Sequence, residues 1–523
     1  MKKIYLLLPL VLLALVSCFE DEGNYKYHAV DDIVIEGIEK SYSNNSYNGE
    51  VLHISPTIKT NYTDLEYEWW MWDPKKEESY TGWDENAPVY EAELIGTEKD
   101  LNYEVNCPIA RYTVMLKVKS KSNGYFNTAT TQFNAETKFA RGFYILKETD
   151  DGNTELDMFN RDNELMPNLL TAVGYGPMKG KPRFLSMVQS NGMADEQDNY
   201  LVARTACVTT ENNDIAFYNT ENMEKVHDNS DVVEGGLKAG QIPYAAFSYS
   251  MSNFFLWSGG VNLVYIADMM PTSGIFYIPA SATGASTHVM GYGDMEIYYW
   301  NEQRQSINNA NAYSWGPPVS VYDENKFSTK GMECIACGSS STATKGYWIL
   351  KDKDGKRYIY ESGFPSKEEE AEGAPSDIWG TRKRTELAAG SKLAQATEFA
   401  VNELSSNVLY YVYNNKVYSY NLANYTDSSQ PFNLKGISAG ETITYLSYQY
   451  QDYPNDTDYN FTHLVVGTQQ GDIYRLYMYN IVAGEPQELV RTIEGKGKMK
   501  MCVYISPIPF YSNSGIGKTS FPN

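Results

Sequence analysis

Residues 142–148 read Gly-Phe-Tyr-Ile-Leu-Lys-Glu, and residues 346–352 read Gly-Tyr-Trp-Ile-Leu-Lys-Asp. Both keep glycine, two aromatics, Ile, Leu, Lys and a closing acid in the same order. Each then enters an acidic glycine turn, Asp150-Asp-Gly152 or Asp354-Gly355, and leaves it as another apolar run. Short runs of aromatic and β-branched residues between such turns are strand signals, so the recurring unit is a hairpin. Weaker copies are Leu263 to Ala267 with Gly274 to Ile278, Val408 to Tyr413 with Val417 to Tyr420, and Leu464 to Gly467 with Asp472 to Tyr477. A strand unit repeated along a chain without helical crossovers points to radial closure, which leaves no long sheet edge open. Residues 138–523 number 386, and at roughly 50 to 60 residues per blade they predict a β-propeller of about seven blades. Two stacked sandwiches are the other arrangement that fits. The acidic stretch Ser366 to Ser376 interrupts the pattern and reads as a solvated loop or short helix.

Upstream, residues 30–137 form short alternating strands between polar turns. Leu65, Tyr67 and Trp69 alternate with Glu66 and Glu68, and Tyr112, Val114, Leu116 and Val118 repeat the period of two. One apolar face per strand calls for a second sheet, hence a β-sandwich. Arg111-Tyr-Thr-Val-Met-Leu-Lys-Val118, turning through Ser122-Asn-Gly124 into Thr128-Ala-Thr-Thr131, resembles the last hairpin of a PKD domain, an immunoglobulin-like sandwich. The tryptophan-rich Trp69, Trp70, Trp72 segment departs from that pattern.

Residues 1–17 carry Lys2 and Lys3, then an apolar run from Ile4 to Val16 with no acid, as in a secretory signal too short to span a membrane stably. The segment ends Leu15-Val-Ser-Cys18, which resembles the bacterial lipobox. That resemblance implies removal of residues 1–17 and lipid attachment at Cys18. Residues 18–29 form an acidic tether, and Phe19-Glu-Asp-Glu22 resembles the export signal of surface lipoproteins in the Bacteroidota. With Gly23-Asn-Tyr-Lys-Tyr27, the N-terminal third resembles the PKD-like family lipoproteins of that phylum. The resemblance implies a lipid-anchored outer-membrane protein exposed on the cell surface, accessory to a SusC/SusD-type uptake complex.

The chain has 523 residues with 43 Lys plus Arg against 66 Asp plus Glu, a net charge of -23. Loss of Lys2 and Lys3 takes the mature chain to 41 minus 66, or -25. Such a surface repels phosphate backbones, so nucleic acid is not an expected partner. Anionic ligands are also disfavoured unless a basic stretch such as Arg382-Lys-Arg384 intervenes.

No catalytic or metal signature stands out, and no cofactor is expected. The five histidines, His28, His53, His227, His288 and His463, are scattered. Cys334 and Cys337 form a lone CxxC whose thiols, on a regular strand, face opposite sides and stay reduced. Cys107, Cys207 and Cys502 make the non-lipidated count odd, against a disulfide framework. Gly515-Ile-Gly-Lys-Thr519 lacks the first glycine of a phosphate loop and any helix to follow it. Asp352-Lys-Asp-Gly355 and Asp452 to Asp458 lack the closing Glu of a calcium loop.

Exposed aromatic rings serve peptides and sugars, because a flat ring gives contact area at little entropic cost. The candidates for such a platform are Trp300, Tyr313 and Trp315 around the turn Asn308, Asn309, Asn311, with Trp257 and Trp379 behind them. Trp315, set before Gly316 and two prolines, is the foremost of these. The expected function is noncatalytic: ligand binding (peptide or glycan) or scaffolding at the cell surface. A propeller hydrolase or lyase acting on glycans and a structural adhesin are the alternatives. A convergent pair of carboxylates would favour the enzyme, and an exposed apolar patch would favour assembly with a transporter.

Overall fold

The computed structural model describes residues 32–46, 49–74, 92–160, 163–194, 200–249, 251–267, 270, 272–282, 284–292, 296–311, 327–339, 345–371, 373, 380–402, 407–451 and 461–506. The lipobox, the phosphate-loop remnant and Asp452 to Asp458 lie outside them. Contacts divide the chain into two compact units. One holds the residues up to Tyr42, Gly49–Val105 and Arg111–Phe133; the other holds Ser43–Asn48, Asn106–Ala110 and Asn134–Asn523.

The first unit is built on a five-stranded sheet in the order Ser41–Asn45, Phe126–Glu136, Ala110–Ser120, Leu65–Trp72, Glu93–Gly96. Two short pairs accompany it, Val51–Ile54 with Leu101–Glu104 and Val34–Glu36 with Thr57–Lys59. The alternation read from sequence is the burial pattern: Tyr112, Val114, Leu116 and Val118 are buried while the residues between them are half-buried. Trp69 lies fully buried opposite Gly96, where an added Cβ would stand 2.9 Å from Leu101. Its indole N–H donates to the Glu98 carbonyl at 3.0 Å.

The second unit holds seven antiparallel sheets, the blades of a propeller. Six have their first strand in sequence nearest the axis; these are Pro182–Ala194, Pro243–Tyr249, Val289–Tyr292, Met332–Ser339, Phe399–Asn402 and Thr442–Gln451. The seventh, blade 1 here, closes the ring: the C-terminal strand Lys498–Ile505 is innermost and pairs with Gly142–Glu148, followed by Thr154–Asn160 and Leu165–Met166. Both ends of the ring therefore share one sheet. The remaining blades are numbered 2 to 7 along the chain. The acidic insertion contains a short helix, Lys367–Ala371, between the third and fourth strands of blade 5.

The repeats are structurally equivalent. Gly142–Glu148 and Lys345–Asp352 are both second strands of their blades, as are Val408–Tyr413 and Phe461–Gln470. In blade 3 the second strand is Ser252–Trp257, and Leu263 lies on the third strand, Gly260–Tyr265, so that weak copy is offset by one strand. A second strand reads as a continuous apolar run because a blade is covered on both faces. Trp348 and Leu350 join the core of blade 4 with Met290, Tyr298 and Trp300. Tyr347 and Ile349, of opposite parity, join the core of blade 6 with Phe399, Leu409 and Tyr411.

The five described cysteines are buried and unbridged. The expectation that Cys334 and Cys337 face opposite sides is corrected here. The register shifts between Cys334 and Ala336, a β-bulge that absorbs one residue, and both thiols enter the same core beside Trp348.

Candidate functional site

The aromatic platform predicted from sequence does not assemble from its described members. Trp300 is 2 % exposed and sits in the core between blades 4 and 5 with Tyr298, a correction to its reading as a ligand ring. It is apolar, on the middle strand of its three-stranded blade, and covered by blade 5, so the packing force claims it. Trp257 is half-buried: its ring stacks on Phe255 at 6.2 Å and 9°, and its indole N–H donates to Asn262 Oδ1 at 3.0 Å. Tyr313, Trp315, Trp379 and Cys18 lie outside the described residues. The basic stretch is engaged within the molecule as well. Arg382 Nε donates to the Gly363 carbonyl at 2.9 Å, Lys383 Nζ lies 3.4 Å above the Tyr425 ring, and Arg384 lies 4.4 Å above that of Tyr358. Asp352 of the calcium-like turn accepts the N–H groups of Asp354 and Lys356 and the Tyr358 hydroxyl, which organises the hairpin.

Ionisable groups collect instead where the innermost strands begin. Lys500 comes from blade 1, Arg183 from blade 2 and Tyr244 from blade 3; His288 precedes the first strand of blade 4, Glu333 opens that of blade 5, and Glu398 precedes that of blade 6. Glu302, on the hairpin between Glu296–Asn301 and Ser306–Asn311, joins them, because Arg183 and Glu333 both act on its charge. Lys500, His288 and Glu398 thus each stand at the start of an innermost strand, in blades 1, 4 and 6.

Several of these groups are already engaged. Arg183 donates to the Pro243 carbonyl at 2.8 Å and to Asn213 Oδ1 at 3.1 Å, and its guanidinium lies 5.7 Å from the Tyr244 ring centre. Glu333 pairs with Lys351 at 2.6 Å. His288 Nε2 faces the Ile335 carbonyl at 3.2 Å, which fixes the proton on that nitrogen. Burial holds its pKa down to about 4, so the imidazole is neutral and Nδ1, itself buried and unpartnered among the described residues, is a bare acceptor.

Two groups remain available. Lys500 is exposed and has no ion pair among the described residues. Glu398 is half-buried with no hydrogen bond to its carboxyl among them; burial raises its pKa to about 7, against the pull of Lys500. Glu302 is also raised by burial, which Arg183 opposes. Among the described residues no three His, Cys, Asp or Glu side chains are close enough to hold a metal ion. The rim thus offers an exposed ammonium and a half-buried carboxyl whose pKa burial raises to about 7. No local motif announces it, because residues 288, 398 and 500 belong to different blades and share a rim only through ring closure.

Residues 18–182 match the PKD-like family. No curated protein matches the chain. Among solved structures the chain is similar to a quinonprotein alcohol dehydrogenase-like protein from Bacteroides thetaiotaomicron, at 12 % identity over 91 % of this chain and 99 % of that one, with a TM-score of 0.37. It is similar to the extracellular domain of a protein described as a one-component system from the same species, at 10 % identity, 90 % and 65 % coverage and a TM-score of 0.34. The WD40 β-propeller domain of Doa1 gives 9 % identity, 66 % and 93 % coverage and a TM-score of 0.33.

Proposed function

We propose that this protein is a lipid-anchored outer-membrane lipoprotein that binds a ligand or scaffolds without catalysis, as an accessory to a SusC/SusD-type nutrient uptake complex. The observation that carries the binding role is the pair of available groups, Lys500 and Glu398, at the starts of the innermost strands of blades 1 and 6. The cell-surface location rests on the lipobox at Leu15 to Cys18 and the acidic residues that follow, and a PKD-like segment over residues 18–182 fits a surface protein.

An assembly role has its own support. Tyr200, Leu201 and Val202, consecutive on the first hairpin of blade 2, are 56 %, 45 % and 45 % exposed. Three adjacent apolar side chains on one strand give a surface that gains from being covered by a partner. Isolation of the intact lipoprotein from detergent-solubilised outer membrane tests this directly. Co-purification of a transporter and its lid in constant ratio is expected; recovery of the protein alone would remove the uptake-complex role.

A hydrolase acting on glycans is the second reading, and Glu398 is the observation that favours it. A carboxyl with a pKa near 7 is what a general acid requires. The two readings separate on product formation.

A further inference from the structure

Resting on the assembly role above, we infer that the free edge of the first hairpin of blade 2 pairs with an extended strand of a partner polypeptide, apolar in its middle and basic at its ends. Pro182–Ala194 and Tyr200–Thr210 form that hairpin, and its far end pairs Ala194 with Tyr200, Met193 with Leu201, Gly192 with Val202 and Asn191 with Ala203. The third strand of the blade, Ile215–Asn219, is shorter and meets the second only from Thr205 to Thr209. One more backbone bond, from the Thr220 N–H to the Arg204 carbonyl at 2.8 Å, ends the ladder. Tyr200 to Ala203 therefore have a strand on one side and, among the described residues, no backbone partner on the other. Alternate residues of an antiparallel strand turn their N–H and C=O groups to opposite sides, so this stretch offers unpaired donors and acceptors to a further strand. Such edges are ordinarily blunted by lysine or proline, whereas this one carries Tyr200, Leu201 and Val202, all exposed.

The other strand of the hairpin is held in place. The Ser190 carbonyl accepts from Asn253 Nδ2 at 2.8 Å and from the Ala267 N–H at 3.1 Å, and His227 Nε2 meets the Gly192 carbonyl at 2.9 Å. At Gly192 an added Cβ would stand 2.0 Å from the Thr272 carbonyl oxygen, so blade 3 lies directly against this strand. An edge fixed in this way loses little freedom when a further strand is added to it. Charge selects the occupant. Glu221 and Glu224 follow Thr220, where the ladder stops, and the five residues that link Ala194 to Tyr200 read Asp-Glu-Gln-Asp-Asn. Arg204, the one base between residues 191 and 204, is half-buried. A second copy would bring the same acids and a further net charge of -23 to the contact, which disfavours self-pairing. A strand with lysine or arginine at its ends meets those acids with opposite charge, and its apolar side chains flank Tyr200 and Val202 on one face and Leu201 on the other.

The test is fluorescence anisotropy and amide hydrogen exchange of the intact protein with the labelled peptide Lys-Val-Thr-Val-Thr-Val-Lys. The peptide is expected to bind and to slow exchange at Tyr200 to Ala203, leaving the already paired Thr205 to Thr209 as they were. N-methylation of every valine and threonine keeps the side chains and removes the backbone donors, and should weaken binding by about tenfold or more. An analogue with glutamate in place of both lysines should also bind more weakly, with a gap that narrows as salt is raised. Tyr200→Lys combined with Val202→Lys is expected to lose the peptide with the thermal midpoint unchanged, because both side chains are exposed, whereas Tyr200→Phe with Val202→Ile keeps it. Binding that survives N-methylation is adhesion to an apolar patch and overturns the inference, as does protection only at other segments, equal binding of the glutamate analogue, a protein dimer that the lysine variant abolishes, or no binding at all. A transporter that co-purifies equally with the lysine variant leaves the assembly role standing and removes this edge from it. If no transporter co-purifies with the wild type while the peptide still protects Tyr200 to Ala203, the uptake-complex role falls and the strand-pairing edge stands.

Discussion

Lys147 Nζ lies 2.7 Å from Asp157 Oδ1, with the two side chains 3 % and 0 % exposed. Asp157 also accepts the Tyr474 hydroxyl at 2.6 Å from blade 7, and Lys147 donates to the Lys496 carbonyl at 2.9 Å. The pair therefore sits on the seam where the ring closes. Its counterpart in the repeat, Lys351, pairs with Glu333 at 2.6 Å on the solvent side, with exposures of 36 % and 66 %. One sequence position thus carries two very different energetic roles.

Replacing Lys147 by Ala leaves the Asp157 charge buried, and a loss of about 3–5 kcal/mol is expected. Lys351→Ala breaks an exposed pair and should cost about 0–1 kcal/mol. Thermal and denaturant unfolding of the two variants side by side checks the contrast; equal losses would mean that the seam pair is not what holds the ring shut.

His227 gives a pH dependence of opposite sign to the other buried histidines. Burial alone lowers its pKa, but Nδ1 meets Asp231 Oδ2 at 2.8 Å and Nε2 meets the Gly192 carbonyl at 2.9 Å, and these acceptors raise it overall. Its stabilisation is complete below the unfolded value near 6.5 and is lost as pH rises through the folded pKa. His288 and His463, held down to about 4 by burial, stabilise above about 6.5, and that contribution is lost as pH falls toward 4. Melting curves from pH 4 to 8.5 should fall at both ends, and His227→Gln should flatten only the alkaline side.

Gly142 opens the repeat for a steric reason. Its φ is +156°, and an added Cβ would stand 2.3 Å from the Phe159 carbonyl oxygen and 2.9 Å from Met158 Cε. Gly142→Ala is expected to destabilise by about 1–3 kcal/mol, read as a lowered thermal midpoint; an unchanged midpoint would mean that the backbone at this strand start yields without cost.

Cys18→Ser should release the protein from the membrane fraction, and mass spectrometry of the native N-terminus should find a diacylglyceryl-modified Cys18. A serine variant still membrane-bound at mature length would assign the anchor elsewhere.

The architecture was legible because blades repeat: a glycine, two aromatics, Ile, Leu and Lys mark equivalent second strands, and their unbroken apolar runs reflect packing on both faces. What could not be read locally is whatever depends on register or ring closure. The bulge at Ile335 turned Cys334 and Cys337 to one side, and Trp300, read from sequence as a ligand ring, is covered by blade 5. Glu398 and Lys500 are unremarkable in their own segments and acquire meaning only when blade 1 is completed by the C-terminal strand.

The central claim, capture without turnover, is tested most directly by incubating the purified protein with peptide and polysaccharide panels and analysing every ligand by mass spectrometry afterwards. The account predicts that bound ligand is recovered chemically unchanged. Product that accumulates with the wild type and disappears in Glu398→Gln would contradict it and establish the hydrolase.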